Sequence, residues 1–394
     1  MCTGKYGYQV LVVLATNIAE SSITIDGIRY IIDNGLVKAK FYQPTIDMEC
    51  LQETPVSKAQ AQQRTGRAGR VSAGKCFRLF TEEAFEELQA SAVPEIKRCR
   101  LSGTVLQLKI MGIDNLVEFE FMEPPPRKLL LKALEQLFCL GAIDRNHKVT
   151  DLGQRMASLP LEPSYAKLLL SAPAFDCTTE VLTIVAMLSV DSIFVNPSSK
   201  RDEAQKARAH LLHADTSVHS AHAHLLHADG DHLTFLQKKK KMMKKKKNLA
   251  LFVVVYNAWV ESKTTNKGWC SQHFVNARSM KKAADIRAQL ARHCQQAKVA
   301  LVSCGSEHTQ VARCLVTAFY ANAASLSPDG RCYKVESSSE EVFIHPTSSL
   351  FQRRARTVVF DQLMLTTKMY MRNCTVIDMA WLPELVPSVY STVS

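Results

Sequence analysis

From Gln63 to Arg70 the chain reads Gln-Arg-Thr-Gly-Arg-Ala-Gly-Arg, three arginines alternating with two glycines directly after a helix-like segment, Ser57 to Gln63. Glycine has no side chain, so the backbone at Gly66 and Gly69 is free to turn tightly and crowd the guanidinium groups into one small volume. Planar, permanently charged forks suit a polyphosphate whose negative charge grows as a bond breaks. A basic surface loop, free or resting on nucleic-acid backbone, answers to the same pattern.

Upstream sequence favours the nucleotide. Gln9-Val-Leu-Val-Val-Leu14 is short, apolar and β-branched, which reads as a buried parallel strand. It runs into Ala15–Gly27, dense in hydroxyls and amides, and Ile28–Asp33 reads as a second strand. Loops at the carboxyl ends of such strands are where α/β sheets hold ligands. Leu36–Tyr42 and Met48–Gln52 flank Gln43-Pro-Thr-Ile-Asp47 and predict a β-hairpin, and Gly74–Phe80 predicts another strand. From Pro94 apolar residues recur at helical spacing, Leu101, Val105, Leu108 and Met111 first, then Leu130, Leu134, Leu137 and Phe138. A Gly-Ala-Ile-Asp turn and Lys148-Val-Thr predict a small strand pair. Leu- and Ala-rich helices follow at Tyr165–Ser171 and Thr179–Leu188, and the last hundred or so residues turn to short strands at Val342–Ile344, Thr357–Phe360 and Thr375–Ile377. The fold class is multidomain, α/β followed by α and then β.

Together, Ala15–Gly27 and Gln63–Arg70 resemble motifs V and VI of superfamily 2 helicases, and the Ile-Ala-Glu-Ser-Ser-Ile-Thr and Gln-Arg-x-Gly-Arg-Ala-Gly-Arg forms resemble the DEAH-box RNA helicases. The resemblance implies a partial second RecA-like domain over 1–92, a winged helix over 93–158, a helical ratchet-like bundle over 159–300 and an oligonucleotide-binding (OB) type β-barrel over 301–394. It implies an enzyme that couples ATP hydrolysis to RNA strand translocation or remodelling of RNA–protein particles, with ATP and Mg2+ as cofactors. Arg67 and Arg70 fall at the family's arginine fingers, Gln63 near the γ-phosphate and the attacking water, and Thr24 and Asp26 where motif V approaches the nucleotide. Arg64 orders the motif through local hydrogen bonds. Thr16 and Asn17 fall on the RNA side, with helix and turn capping as the less favoured alternative. Near the C-terminus Lys368, Tyr370 and Arg372 match a barrel segment near the RNA; Tyr370 is suited to stacking on a base or to filling a barrel core. A glycine-rich activator protein docking on the barrel, and a nuclear location, belong to the same resemblance.

The phosphate-binding loop and the Asp-Glu-Ala-His box of the first RecA-like domain are not in this sequence. Gly69-Arg-Val-Ser-Ala-Gly-Lys75 imitates the loop, but Cys76 stands where a magnesium-binding Ser or Thr belongs. The chain therefore matches the C-terminal part of a helicase, with most of the ATP and Mg2+ site outside it. Inactivity alone is the corresponding expectation. A non-catalytic RNA-binding or partner-docking fragment, or the product of a partial or damaged gene model, are the alternatives.

Ala209-His-Leu-Leu-His-Ala-Asp215 recurs as Ala223–Asp229, and Lys238–Lys247 holds eight lysines before the apolar stretch Asn248–Val254. A retained intron or misplaced exon boundary explains an insertion with no packing logic; a basic RNA-binding or nuclear-import tract is the functional alternative. The net charge is +12, of which the tract supplies eight, so charge is weak evidence for an RNA partner. Seven of twelve histidines lie between His210 and His232, a pattern that duplication explains better than a metal site. The twelve cysteines include no Cys-x-x-Cys pair, which argues against a zinc ribbon and a disulfide framework and for reduced thiols. Leu249–Val255 is too short to span a bilayer.

Overall fold

The computed structural model describes residues 2–3, 9–44, 48–190, 193–195, 197, 200, 203, 254–262, 267–305, 307–346, 348, 350–351, 353–365 and 368–390. The duplicated heptads, the histidine-rich stretch and the lysine tract lie outside the described residues. The chain divides into two compact units, one of Met1–Tyr42 with Cys50–Cys99, the other of Gln43–Glu49 with Arg100–Ser394.

In the smaller unit β1 (Cys2–Thr3) pairs antiparallel with β2 (Gln9–Val10), and a single helical turn, α1 (Ile18–Ser21), follows. Then come β3 (Tyr30–Asp33), the hairpin β4 (Leu36–Gln43) and β5 (Met48–Pro55), α2 (Lys58–Thr65), β6 (Lys75–Arg78) and α3 (Glu82–Glu87). β3 and β6 form a parallel pair with Ile32 opposite Phe77. The helix α2 starts at a reciprocal cap: Ser57 Oγ accepts from the Gln60 amide at 3.2 Å, and Gln60 Oε1 accepts from the Ser57 amide at 3.1 Å.

One strand expectation fails. Only Gln9 and Val10 of the Gln9–Leu14 run are in a strand, and it is antiparallel. Leu11, Val12 and Leu14 are exposed, because β3 pairs only with β6 and no neighbour among the described residues takes up the rest of the run. A β-branched run states a capacity to pair; the partner decides whether it does.

The larger unit starts with α4 (Ser102–Ile110), α5 (Arg127–Cys139) and α6 (Asp151–Ala157). The expected strand pair between the last two is a single antiparallel bridge, Ile143 to Val149. Next are α7 (Pro163–Ser171), α8 (Thr178–Leu188), α9 (Val254–Glu261), α10 (Lys267–Gln272), α11 (Ala277–Gln296) and α12 (His308–Phe319). α8 is the hub: Val181, Leu182, Ile184, Val185 and Met187 are all buried, and α7 and α11 pack against it. A helix buried on nearly every side has to be surrounded, and its buried Glu180 and Thr183 accept from Ser303 and Arg287.

The chain ends in a mixed seven-stranded sheet of β7 (Ala323–Leu326), β8 (Tyr333–Val335), β9 (Glu341–Ile344), β10 (Thr357–Val359), β11 (Gln362–Leu365), β12 (Met369–Arg372) and β13 (Thr375–Val376), followed by α13 (Trp381–Leu385) and α14 (Pro387–Tyr390). Its order is β11-β12-β9-β8-β7-β10-β13, antiparallel except for the parallel contact of β12 with β9. Alternation sends Val342, Ile344, Val358, Leu363 and Met371 into one core around Phe360. Tyr165 on α7 donates from its hydroxyl to Asp361 Oδ1 at 2.8 Å, and Asn373 donates to the other oxygen at 3.2 Å. Withdrawal from water pushes the Asp361 carboxyl up, against the pull of Tyr165, Asn373, Arg100 and Arg372. The same desolvation, reinforced by the neighbouring Asp361, holds the Tyr165 hydroxyl well above the usual phenol range.

Candidate nucleotide and RNA site

The arginine run sits at the end of α2, and its three arginines do three different things. Arg64 turns inward. Its Nε and Nη2 donate to Glu20 Oε1 at 2.8 and 2.6 Å, Nη1 donates to Asp33 Oδ1 at 2.6 Å, and Nη2 also reaches the Leu36 carbonyl at 3.1 Å. Burial works against the Arg64 charge, but the bonds to Asp33 and Glu20 outweigh it and raise its pKa. Arg67 is half-buried, and its Nε and Nη1 are withdrawn from solvent with no hydrogen-bond partner among the described residues. Arg70 is exposed, and its Nη1 donates to the hydroxyl of Thr24.

Sequence reasoning expected Gly66 and Gly69 to fold the turn. The structure moves that role. Gly66 has an ordinary helical φ of −63°, and a Cβ on Gly69 would meet nothing within 4 Å. The glycine that sterics demand is Gly74, where a Cβ would run into the carbonyl oxygen of Ala68 as β6 begins beside the arginine turn.

Other expected site residues are placed as follows. Gln63, Thr16, Asn17 and Asp26 are all exposed. Asn17 stands at the N-cap of α1 but makes no side-chain cap bond; backbone bonds from Ala19 to Thr16 and from Glu20 to Asn17 hold the turn instead. Thr24 is joined to the arginine run through Arg70. On the sheet, Tyr370 and Phe343 are cross-strand neighbours with ring centroids 6.2 Å apart, His345 meets Tyr370 edge-on at 5.7 Å, and the Lys368 ammonium lies 4.3 Å over the Phe343 ring. Tyr370 and Arg372 are half-buried, flanking the core residue Met371. Tyr370 thus lies opposite in pleat to the core rather than within it.

Two residues that hold the site together were not picked out from the sequence, Glu20 and Asp33. Both are acidic and buried, at 7% and 2% exposure, where an unpaired carboxylate is costly. An acidic residue inside an otherwise hydroxyl-rich loop, and another ending a β-branched strand, were the available signals.

Arginine forks are the donor set that a phosphate requires, and the orphaned Nε and Nη1 of Arg67 fit such a ligand. For a metal the fit is absent: no group of three or more His, Cys, Asp or Glu side chains among the described residues is placed to hold one. The described cysteines are free thiols, and among the described residues no helix is long and apolar enough to cross a membrane.

Comparison with known proteins agrees with this layout. Family models match residues 133–161 (helicase associated domain HA2, winged-helix), 162–235 (helicase associated domain HA2, ratchet-like) and 311–390 (oligonucleotide/oligosaccharide-binding fold). The chain is 43% identical over 391 residues to the Arabidopsis thaliana pre-mRNA-splicing factor ATP-dependent RNA helicase DEAH10, covering 97% of this chain and 51% of that protein. It is 40% identical to the human "Probable ATP-dependent RNA helicase DHX35", over 96% of this chain and 50% of that protein. It is also 38% identical to the Schizosaccharomyces pombe pre-mRNA-splicing factor ATP-dependent RNA helicase prp22, over 96% of this chain and 30% of that protein. The chain thus spans about half or less of the length of these curated relatives. Winged-helix, ratchet-like and OB-fold segments in sequence, and relatives of one kind matching almost all of its residues, support a fragment similar to the C-terminal part of DEAH-box RNA helicases.

Proposed function

We propose that this chain supplies the arginine half of an ATP site and part of an RNA path for ATP-dependent strand translocation or remodelling of RNA–protein particles. The observation that carries the reading is the divergence of the three arginines. Arg64 is anchored on two carboxylates, which leaves Arg67, with two orphaned nitrogens, and Arg70, beside Thr24, for a phosphate chain. In that role Arg67 and Arg70 stabilise charge on the phosphoryl group as it passes to water, a contribution that reaches about 10³-fold or more in rate where such fingers have been removed. Gln63 orients the water, and Thr24 and Asp26 meet the nucleotide. ATP would bring the phosphoryl group; the described residues contribute cationic donors to it and no cluster of three or more metal-ligating side chains.

RNA is the proposed partner. Thr16 and Asn17 offer a hydroxyl and an amide to its phosphates, and Lys368, Tyr370 and Arg372 offer charge and a ring on the sheet. The proposed domains are a RecA-like part over 1–92, a winged helix over 93–158, a ratchet-like bundle over 159–300 and an OB-type barrel over 301–394, the last also a dock for a glycine-rich activator. Two of the relatives are named as pre-mRNA splicing factors, which supports a nuclear role in RNA processing.

A second reading is an RNA-binding or partner-docking module without ATPase activity, supported by the oligonucleotide/oligosaccharide-binding fold match over residues 311–390. One assay separates the two. The purified chain and its Arg67→Ala/Arg70→Ala variant are expected to bind single-stranded RNA alike, more weakly as salt rises. Half a site is not expected to hydrolyse ATP, so the readout is a fluorescent ATP analogue: its binding by the chain and loss in the variant support the first reading, and RNA binding with no nucleotide binding from either supports the second. Hydrolysis by the chain that requires the two arginines would overturn the half-site reading, and no RNA binding at all sinks both.

A further inference from the structure

We infer that Glu20 is a positioning residue that locks the candidate RNA-contact turn to the candidate phosphate-contact turn through Arg64. The inference rests on the site reading above. The helix α1 is four residues long, and a lone turn does not hold itself together in water. Its apolar residue Ile18 is 51% exposed, so hydrophobic burial does not fix it either. Glu20 is its one buried residue, and that residue is a carboxylate. One oxygen accepts two bonds from Arg64, and the other accepts from Gln60 Nε2 at 3.4 Å. All three donors lie on α2, on successive turns of the helix that leads into the turn carrying Arg67 and Arg70.

Arg64 is in turn fixed from a third direction. Asp33, at the end of β3, takes Nη1 through the oxygen that also accepts the Gly35 amide at 3.0 Å. The guanidinium therefore joins α1, α2 and β3 at one point, shielded from water on both carboxylate sides. Thr16 and Asn17 precede α1 on one side of this joint, their backbone carbonyls accepting from the Ala19 and Glu20 amides, and Arg67 lies three residues beyond Arg64 on the other, past the end of α2. A shift of α1 against α2 has to break charge-assisted bonds, so a ligand that moves one turn carries the other with it. A flexible linkage of two surface loops would transmit nothing.

The test uses the full chain with Glu20→Gln, which keeps shape and one acceptor but removes the charge, and Arg64→Lys, which keeps charge but loses the fork. Each is compared with the unaltered chain and with Arg67→Ala, which leaves the joint intact. Hydrogen–deuterium exchange followed by mass spectrometry reads peptides covering 15–27 and 57–70, and fluorescence anisotropy reads the Kd for a labelled oligouridylate. Expected are faster exchange in both peptides and an RNA affinity reduced roughly ten-fold in both joint variants, with exchange in the larger unit and the far-UV circular dichroism unaltered; Arg67→Ala should leave exchange in 15–27 unaltered. Exchange confined to one peptide, or faster exchange with unaltered RNA affinity, overturns the positioning role. If the unaltered chain fails to bind the oligouridylate, the RNA reading falls by itself, and the paired change in exchange still decides whether Glu20 locks the two turns.

Discussion

The two units of this chain are held by different forces. In the larger one, α8 is enclosed by α7 and α11, and residues such as Leu168, Leu169, Ile184 and Met187 are almost wholly withdrawn from water. In the smaller one, Ile32 is 73% exposed, Tyr30 and Phe77 stack on an open face of the β3–β6 pair, and the fixed points are Arg64 with its two carboxylates and the Ser57–Gln60 cap. The teaching is that the part bearing the candidate phosphate arginines is organised by ion pairs and caps, which have direction, whereas the part bearing the helices is organised by burial, which has none.

Substitutions can break that contrast. The largest effect is expected at the joint: Arg64→Ala strands two buried carboxylates and should cost the smaller unit about 3–5 kcal/mol, read as early loss of its exchange protection in urea. Next, Ile184→Ala opens a cavity in the helical core and should cost about 2–4 kcal/mol, whereas Ile32→Ala should lie within about 0.5 kcal/mol of the unaltered chain. Equal costs at Ile184 and Ile32 would abolish the distinction.

A smaller effect sharpens it by pH. Tyr165→Phe removes the donor to Asp361 and should cost about 1–2 kcal/mol at neutral pH. The Tyr165 hydroxyl is raised well above its ordinary 10.0, so the folded state keeps a proton that the unfolded chain releases. Its contribution is therefore full below pH 10.0 and declines as pH rises beyond it, so the melting temperature of the unaltered chain should fall more steeply there than that of the variant. Smallest of all, Lys368→Ala loses a cation–π contact at an exposed site and should cost about 0.5 kcal/mol.

What the sequence made legible follows the range of each interaction. Periodic apolar spacing placed α4 and α5, since a helix face is written within a few turns, and Leu- and Ala-rich composition placed α7 and α8. The helix-like run Ser57–Gln63 placed α2, and its Ser57–Gln60 cap is equally local, a four-residue signal seen only in the structure. Strand pairing is not local, so Leu11–Leu14 looked like a buried strand and is exposed coil. Glu20 and Arg64 lie 44 residues apart and Asp33 and Arg64 lie 31 apart, and nothing in either neighbourhood names the partner. The resemblance to helicase motifs reached the family, but it could not say that Gly74, outside the arginine run, is the glycine that sterics require.

The hydrogen bond from Tyr165 to Asp361 joins residues 196 apart, across most of the larger unit. Loop-closure entropy puts such a contact late on the path to the native state, after local helices have formed. It should then act as a brake on escape rather than an aid to arrival. Removing the hydroxyl should quicken unfolding while leaving the refolding rate nearly unchanged, so this bond should lengthen the time that Asp361 stays tied to α7.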